Sequence, residues 1–533
     1  MTRNDARGTY RKLTEKIKRE KELENEVSRL ESALKSSREE VESLREKNKT
    51  MEAAADERVA TAVEEAVKQV TEQFTKELSN AYLEIARLNA IVNKNSSNSS
   101  KPSSTNGNKD IPNSRKKSGK PRGGQRGHVG RRLGLPENIE LLEQQGIVER
   151  RVIDNTNGSS NFVSRFTIDV EVKVIITEHR YANPQDIPDG LLNEVSYGDS
   201  IKATALLLMT EGMIADKRLS GIISGLTHGV VNISTATLCN IESQFAQKLD
   251  KSGEIEAIEQ DLLNGKVMHT DDTSARSTER IVYPNANESD GTPIYEQSEK
   301  NSFRITIRTY SNENSTLYTV NPKKDKAGVD RDGILPKYDG TLSHDHESKF
   351  YNYGSGHGTC CEHLCRDLQG LQDLKNCAWA GEMRSFMYGM NEYKKNDQES
   401  GINFCDPKQL VFFESEYDRI VNQGRIIIGQ MQADDWGFSD FNAMLKRLEA
   451  YKDSYMRFIR DYDVPFTNNL AERDLRPEKT KQKVSGPYRS WKGAEVRAKN
   501  NGFISTIKKR GKELFSSITQ VFKGKPVLKP APQ

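Results

Sequence analysis

The chain has 533 residues, 34% hydrophobic and 29% charged, with a formal net charge of only +3. That length suggests three or four domains and ample material for a core. No apolar run is long enough to span a bilayer and no secretory segment opens the chain, which argues against a membrane or exported protein and for the cytoplasm. The six cysteines (Cys239, Cys360, Cys361, Cys365, Cys377 and Cys405) are irregularly spaced, with no disulfide framework, as expected in a reducing compartment.

In chain order, Leu23, Val27, Leu30, Leu34, Val41, Leu44 and Met51 follow a three-four spacing among Glu, Lys and Arg, with Asn48 on the same seam. The stripe resumes through Val63, Val70, Leu78, Ile85 and Val92. It predicts a coiled coil over 1–94 through which copies of the chain associate. Residues 95–134 open with a Ser/Asn-rich stretch that has little to bury, so a flexible linker is expected. Its basic residues include Lys116, Lys117, Lys120, Arg122 and Arg126, with Asp110 the one acid nearby. So one-sided a run favours nucleic-acid phosphates over plain solvation, without implying sequence specificity.

Region 135–200 reads as a small β element, carried by Val170–Thr177. Region 201–260 is helical: Ile201–Met213, Arg218–Leu226 and a third helix opening near Ser234, a reasonable N-cap. That order resembles a helix-turn-helix, and three packed structural helices fit it equally well.

Next, Lys266-Val267-Met268 reads as a short buried strand ending at Asp271, in His269-Thr270-Asp271-Asp272-Thr273. Ser302–Tyr310 and Ser315–Val320 are strand-like. Gly340–His346 is a further strand-like run, ending in Asp345. His357, Cys360 and His363 recur every three residues, followed by Arg366. Packing or DNA contact outweighs zinc there, because the set is incomplete for a closed tetrahedral centre. Residues 366–465 carry helical patterns, and Asn468–Pro477 presents Glu472 from a short helix. A basic run follows it, with Arg473, Arg476, Lys479, Lys481, Lys483, Arg489, Lys492, Arg497 and Lys499 around Tyr488 and Trp491. Such a surface suits DNA phosphates. The aromatics either stack on a displaced base or pack, packing being the commoner fate of a Trp.

At Asn468–Pro477, Lys483-Val484-Ser485-Gly486, Arg489-Ser490 and His357-x-x-Cys360-x-x-His363-x-x-Arg366-x-Leu368, the chain resembles the insertion-sequence 66 family of bacterial transposases. The resemblance implies a ribonuclease-H-like α/β core, split into 261–365 and 466–522 by the helical insertion at 366–465. It implies an Asp-Asp-Glu site of Asp271, Asp345 and Glu472, with Asp339 a rival for the second place. The chain departs from the family's Asp-Glu-Thr by carrying Asp272, and it lacks the four-cysteine zinc module of relatives, having no cysteine before Cys239. Three carboxylates suit two Mg2+ or Mn2+ ions, set roughly 3.5–4 Å apart to clamp attacking and leaving oxygens; zinc is not expected. The expected activity is hydrolysis of transposon ends and strand transfer, with terminal inverted repeats and target DNA as partners and companion proteins left open. The rivals are another two-metal nuclease or resolvase on the same fold, and a non-catalytic coiled-coil DNA-binding protein derived from a transposase.

Overall fold

A computed structural model describes residues 3–50, 56–92, 138–155, 163–188, 193–283, 293–298 and 302–528, with positions 94, 98, 99, 135, 160, 161 and 191 between them. The basic residues Lys116, Lys117, Lys120, Arg122 and Arg126 lie outside the described residues, as do the side chains of Leu44, Asn48 and Met51. No helix among the described residues is long and apolar enough to cross a membrane.

Two long helices, α1 (Arg3–Thr50) and α2 (Asp56–Val92), pack along each other. The Glu84 carboxyl is held low by Arg87 and also by Arg19 of α1, so the helices run antiparallel. Val27 and Leu30 are buried. The apolar seam thus meets a helix of its own chain, where the heptad pattern alone suggests a second copy. Asn98 and Ser99, in the stretch expected to be free linker, are also buried. The Asn98 carbonyl lies over Gly370, in the space that a Cβ there would take.

Beyond α3 (Ile139–Gln144), the expected strand Val170–Thr177 has no ladder partner among the described residues. Val170, Val172, Val174, Ile175 and Ile176 are exposed. Apolar, β-branched side chains favour a strand there, but among the described residues none pairs with it.

The helices α4 (Asp199–Thr210), α5 (Asp216–Leu226) and α6 (Thr235–Lys251) follow. Ser234 caps α6, its hydroxyl accepting the Thr237 N–H at 3.1 Å. The buried face of α6 (Leu238, Ile241, Phe245, Leu249) joins Phe503, Ile507, Ile518 and Phe522 in one core. Those partners lie on α16 (Trp491–Lys509) and α17 (Leu514–Phe522). Region 201–260 therefore has no core to itself; it is completed by the C-terminal helices.

After α7 (Glu254–Leu263) comes the central strand β1 (Val267–Ser277). A small ribbon, β2 (Glu279–Val282) with β3 (Ile294–Gln297), leads to β4 (Phe303–Ser311) and β5 (Thr316–Asn321). Past α8 (Lys326–Asp332) come β6 (Thr341–His344) and β7 (Gly356–Thr359). The sheet order is β5-β4-β1-β6-β7. The first three strands are antiparallel neighbours, while β1, β6 and β7 run parallel.

Five helices follow β7: α9 (Cys361–Lys375), α10 (Ala378–Glu399), α11 (Pro407–Gly429), α12 (Phe438–Ala450) and α13 (Lys452–Arg460). They share an apolar core around Trp379, Met383, Tyr417, Leu448 and Phe458. The chain then returns to the sheet as α14 (Asn469–Asp474) and α15 (Arg476–Ser485). One sheet face packs Ala275, Ile305 and Ile307 against Leu475, Trp491 and Ala494. The other packs Met268, Tyr310 and Leu342 against Ile258, Leu262 and Val329. The result is a mixed sheet between two helical layers.

Candidate active site

The site is set by where β6 stops beside the longer β1. β1 pairs in parallel with β6 from Val267↔Thr341 to Thr270↔His344, and there β6 ends. β1 continues, held by β4 as far as Ser277↔Phe303. Asp271 is therefore mid-strand rather than at a strand end, because the antiparallel partner keeps the ladder going past it. One register step beyond the last parallel pair, Asp345 faces it across the gap. Residues two apart share a sheet face, so His269 and Asp271 project to one side of β1 and Asp272 to the other.

The third acid arrives from α14. Asn468, just before that helix, is buried and spans the site. Its Oδ1 lies 3.0 Å from His269 Nδ1, its Nδ2 donates to the Thr270 carbonyl at 2.9 Å, and its backbone N–H donates to Cys360 Sγ at 3.3 Å. Glu472 N donates back to the Asn468 carbonyl at 3.2 Å, which places Glu472 one turn from this anchor. Asn468 stands in the strongest sequence motif, yet its role depends on groups about 200 residues away and is not readable from spacing.

His363, in the first turn of α9, fills the space between two of the acids. Its Nδ1 is 3.2 Å from Asp345 Oδ1 and 3.9 Å from Glu472 Oε1. Burial opposes its charge, but Asp345 and Cys360 beside it hold the imidazole up to about 11. Burial raises Asp345, and His363 outweighs that and holds it below the usual range. Burial and then the charges of Asp345 and Glu472 push Asp271 up to about 8. Among the described residues, no Lys or Arg forms a salt bridge with Asp271, Asp345 or Glu472. Asp345 Oδ1 and His363 Nδ1 are buried without an aligned hydrogen bond. One donor atom from each of Asp345, Cys360, His363 and Glu472 falls within 4.8 Å of the others.

Asp339 stands elsewhere. It precedes β6, at the strand end opposite Asp345, is exposed, and accepts the Ser355 hydroxyl on its carbonyl at 2.6 Å. His357 also stays outside the cluster, with Nδ1 3.2 Å from His344 Nε2. Arg366 is half-buried on α9, its Nε 3.4 Å from the Glu362 carbonyl.

Of the basic residues after the third acid, Arg473, Arg476, Lys483 and Arg489 are exposed. Lys481 departs from the expected phosphate-binding role. Its ammonium lies 3.5 Å from the Tyr488 ring centroid and donates to the Gly486 carbonyl at 3.2 Å, and burial lowers it to about 8. Tyr488 and Trp491 are buried, and the Trp491 indole donates to Glu495 at 2.8 Å, so both pack rather than stack on a base. Arg497 is buried against Glu242 at 3.1 Å. Lys499 pairs with Asp250 at 2.7 Å.

A family described as Transposase IS66 family matches residues 194–496, which include all three acids, Cys360 and His363. The chain belongs to the IS66 family of transposases. Among curated proteins, an uncharacterized protein y4jO of Sinorhizobium fredii is 36% identical over 75 residues. That similarity covers 14% of this chain and 23% of the relative, so the chain spans about a quarter of that protein. No solved structure matches the chain.

Proposed function

We propose that this protein is a metal-dependent DNA transposase, which hydrolyses strands at transposon ends and joins the freed 3′ hydroxyls to target DNA. One observation carries the reading: Asp271, Asp345 and Glu472 converge on one sheet face where β6 ends beside β1, with His363 but no Lys or Arg in salt-bridge range among the described residues. The order β5-β4-β1-β6-β7, with an antiparallel half and a parallel half, supports a ribonuclease-H-like core interrupted by the helices at 366–465.

The donor set fits divalent cations. Carboxylate oxygens are the hard ligands that Mg2+ and Mn2+ take, and the buried, unaligned Asp345 Oδ1 is one of them. Divalent ions held there would supply activation of the attacking oxygen and stabilisation of charge on the leaving one. The chain's own residues do the rest. Asp345, one register step past the parallel pairing of β1 and β6, would be a ligand alongside Asp271 and Glu472. Asn468 fixes the position of Glu472 against β1. Arg473, Arg476 and Lys483, on α14 and α15 beside the acids, present positive charge to the DNA backbone. Water and a 3′ hydroxyl offer the same kind of attacking oxygen, so one site serves both hydrolysis and joining. The DNA partners are the terminal inverted repeats of the element and its target.

The test is end cleavage and joining of pre-cut ends, in Mg2+ or Mn2+, with DNA binding measured in parallel. Cleavage together with joining is expected. Cleavage with no joining would make the protein a nuclease or resolvase; binding with neither would make it a non-catalytic DNA-binding protein.

A further inference from the structure

The spacing of Cys360 and His363 lacks the further ligands a metal centre needs, and the fold supplies them. Asp345 comes from the end of β6 and Glu472 from α14, with their donor atoms inside the same 4.8 Å cluster. Resting on the reading of Asp345 and Glu472 as ion ligands, we infer that Cys360 and His363 join them. The pocket then has two unequal positions. One, between Asp271 and Asp345, offers oxygen alone. The other, formed by Asp345, Cys360, His363 and Glu472, takes a zinc-type ion in preference to magnesium.

Three observations support this. The first is the donor chemistry: one sulfur, one imidazole nitrogen and two carboxylate oxygens match four-coordinate zinc, whereas magnesium favours oxygen ligands and sheds its waters reluctantly. The second is the support around the sulfur. Cys360 Sγ accepts the Asn468 backbone N–H at 3.3 Å, the kind of outer contact that orients a metal ligand. The loops carrying the ligands are stitched together by Cys360 N to the His344 carbonyl and Cys361 N to the Phe466 carbonyl, both at 3.0 Å. The third is selectivity among thiols. Cys361, next in sequence, turns its sulfur toward the Thr359 and Tyr455 carbonyls, at 3.4 and 3.6 Å. Cys365 is buried in the helical core. Among these three, the sulfur of Cys360 is the one in the cluster.

The experiment uses the full chain, stripped with a chelator and titrated with Co2+, read by absorption rather than by activity. Wild type is expected to bind one cobalt with a sulfur-to-cobalt charge-transfer band and the intense visible bands of four-coordination. Zn2+ should displace that ion, and Mg2+ in large excess should not. Cys360→Ser should lose the sulfur band, and Cys361→Ser should keep it. X-ray absorption on zinc-loaded wild type, which needs no substitution, should show sulfur at about 2.3 Å from the metal. Cobalt binding that needs Asp345 and Glu472 but shows no sulfur signal would overturn the inference and leave the acid site standing. If Asp345→Asn and Glu472→Gln bind cobalt as wild type does, the reading of the acids falls with it.

Discussion

Asp271 and Asp272 are neighbours on one strand, yet their electrostatic surroundings are opposite. The Asp272 carboxylate is fully buried and met by Lys324 at 2.6 Å, Lys349 at 2.6 Å and Arg308 at 3.6 Å. Arg308 also pairs with Asp332, which binds Asn321 and accepts the Tyr310 hydroxyl at 2.6 Å. Asp272 and Asp332 on that face each have a cation. Asp271, on the other face, has no cation in salt-bridge range among the described residues. Burial and the charges of Asp345 and Glu472 push its carboxyl up to about 8, against a weaker pull from Lys479. Of those residues, His363 is the one cationic group set among the three acids. A buried acid that serves the fold is matched by cations from within the chain. A set of acids short of cations is matched from outside, and such perturbed groups concentrate at functional sites.

Breaking the uncompensated face should have the largest effect. Glu472→Gln and Asp271→Asn each keep side-chain size but remove a charge, so end cleavage and joining should fall by orders of magnitude. DNA binding should hold, since exposed Arg473, Arg476 and Lys483 supply the phosphate contacts. Without divalent ions, Asp271→Asn should also raise the melting temperature by a few degrees, because it relieves repulsion among the acids. The Asn oxygen can still accept the Asp272 N–H, now 2.7 Å from Asp271 Oδ1. Full cleavage by either variant would remove the three-acid assignment.

The compensated face should respond in stability first. Asp272→Ala leaves Arg308 and Lys349 buried with fewer counter-charges, a loss of about 3–5 kcal/mol for a broken buried network. Urea denaturation measures it. A variant that unfolds with wild type would show that this second acid is not structural.

The histidines behind Asp345 sharpen the contrast through pH. His344 is buried, and burial lowers it to about 4, below its unfolded value of about 6.5. Between those values the unfolded chain takes up a proton that the folded chain refuses. Stability present above the unfolded value is therefore lost as pH falls toward 4, by on the order of 3 kcal/mol from this residue. Asp271, raised to about 8, works in the opposite direction over the same range, so the His344 share is read as a difference between two proteins. In thermal melts from pH 7 to 4, His344→Gln should lose less stability, or gain more, than wild type as pH falls, and parallel curves for the two would contradict it.

Local pattern made much of this legible. The alternation of Ser302–Tyr310 became β4, Ser234 caps α6, and the motif around Glu472 delivered a helix to the sheet. What the pattern could not carry was pairing. The length of β1 comes from a partner strand more than thirty residues away, and that partner moves Asp271 from a strand end to mid-strand. The seam of α1 reads the same whether α2 or another copy covers it. His363 and Cys360 read as an incomplete set because Asp345 and Glu472 reach them only through the fold.

The smallest effect tests the same distinction, between charges already matched and charges left open, on the DNA side. Lys481 and Lys483 are two residues apart on α15 and equal in composition. Lys481 is folded over Tyr488 and bonded to Gly486, while Lys483 is exposed. A phosphate contact releases counterions, so losing one should reduce the salt slope of DNA binding by about 0.9. Lys483→Ala should show that reduction, with affinity falling roughly a few-fold at physiological salt. Lys481→Ala should leave the slope unchanged and instead lower the melting point slightly, having lost a cation–ring contact worth about 0.5–2 kcal/mol. Salt-titrated binding curves for both variants decide it. A slope that changes with Lys481 would mean that this side chain swings out to meet DNA.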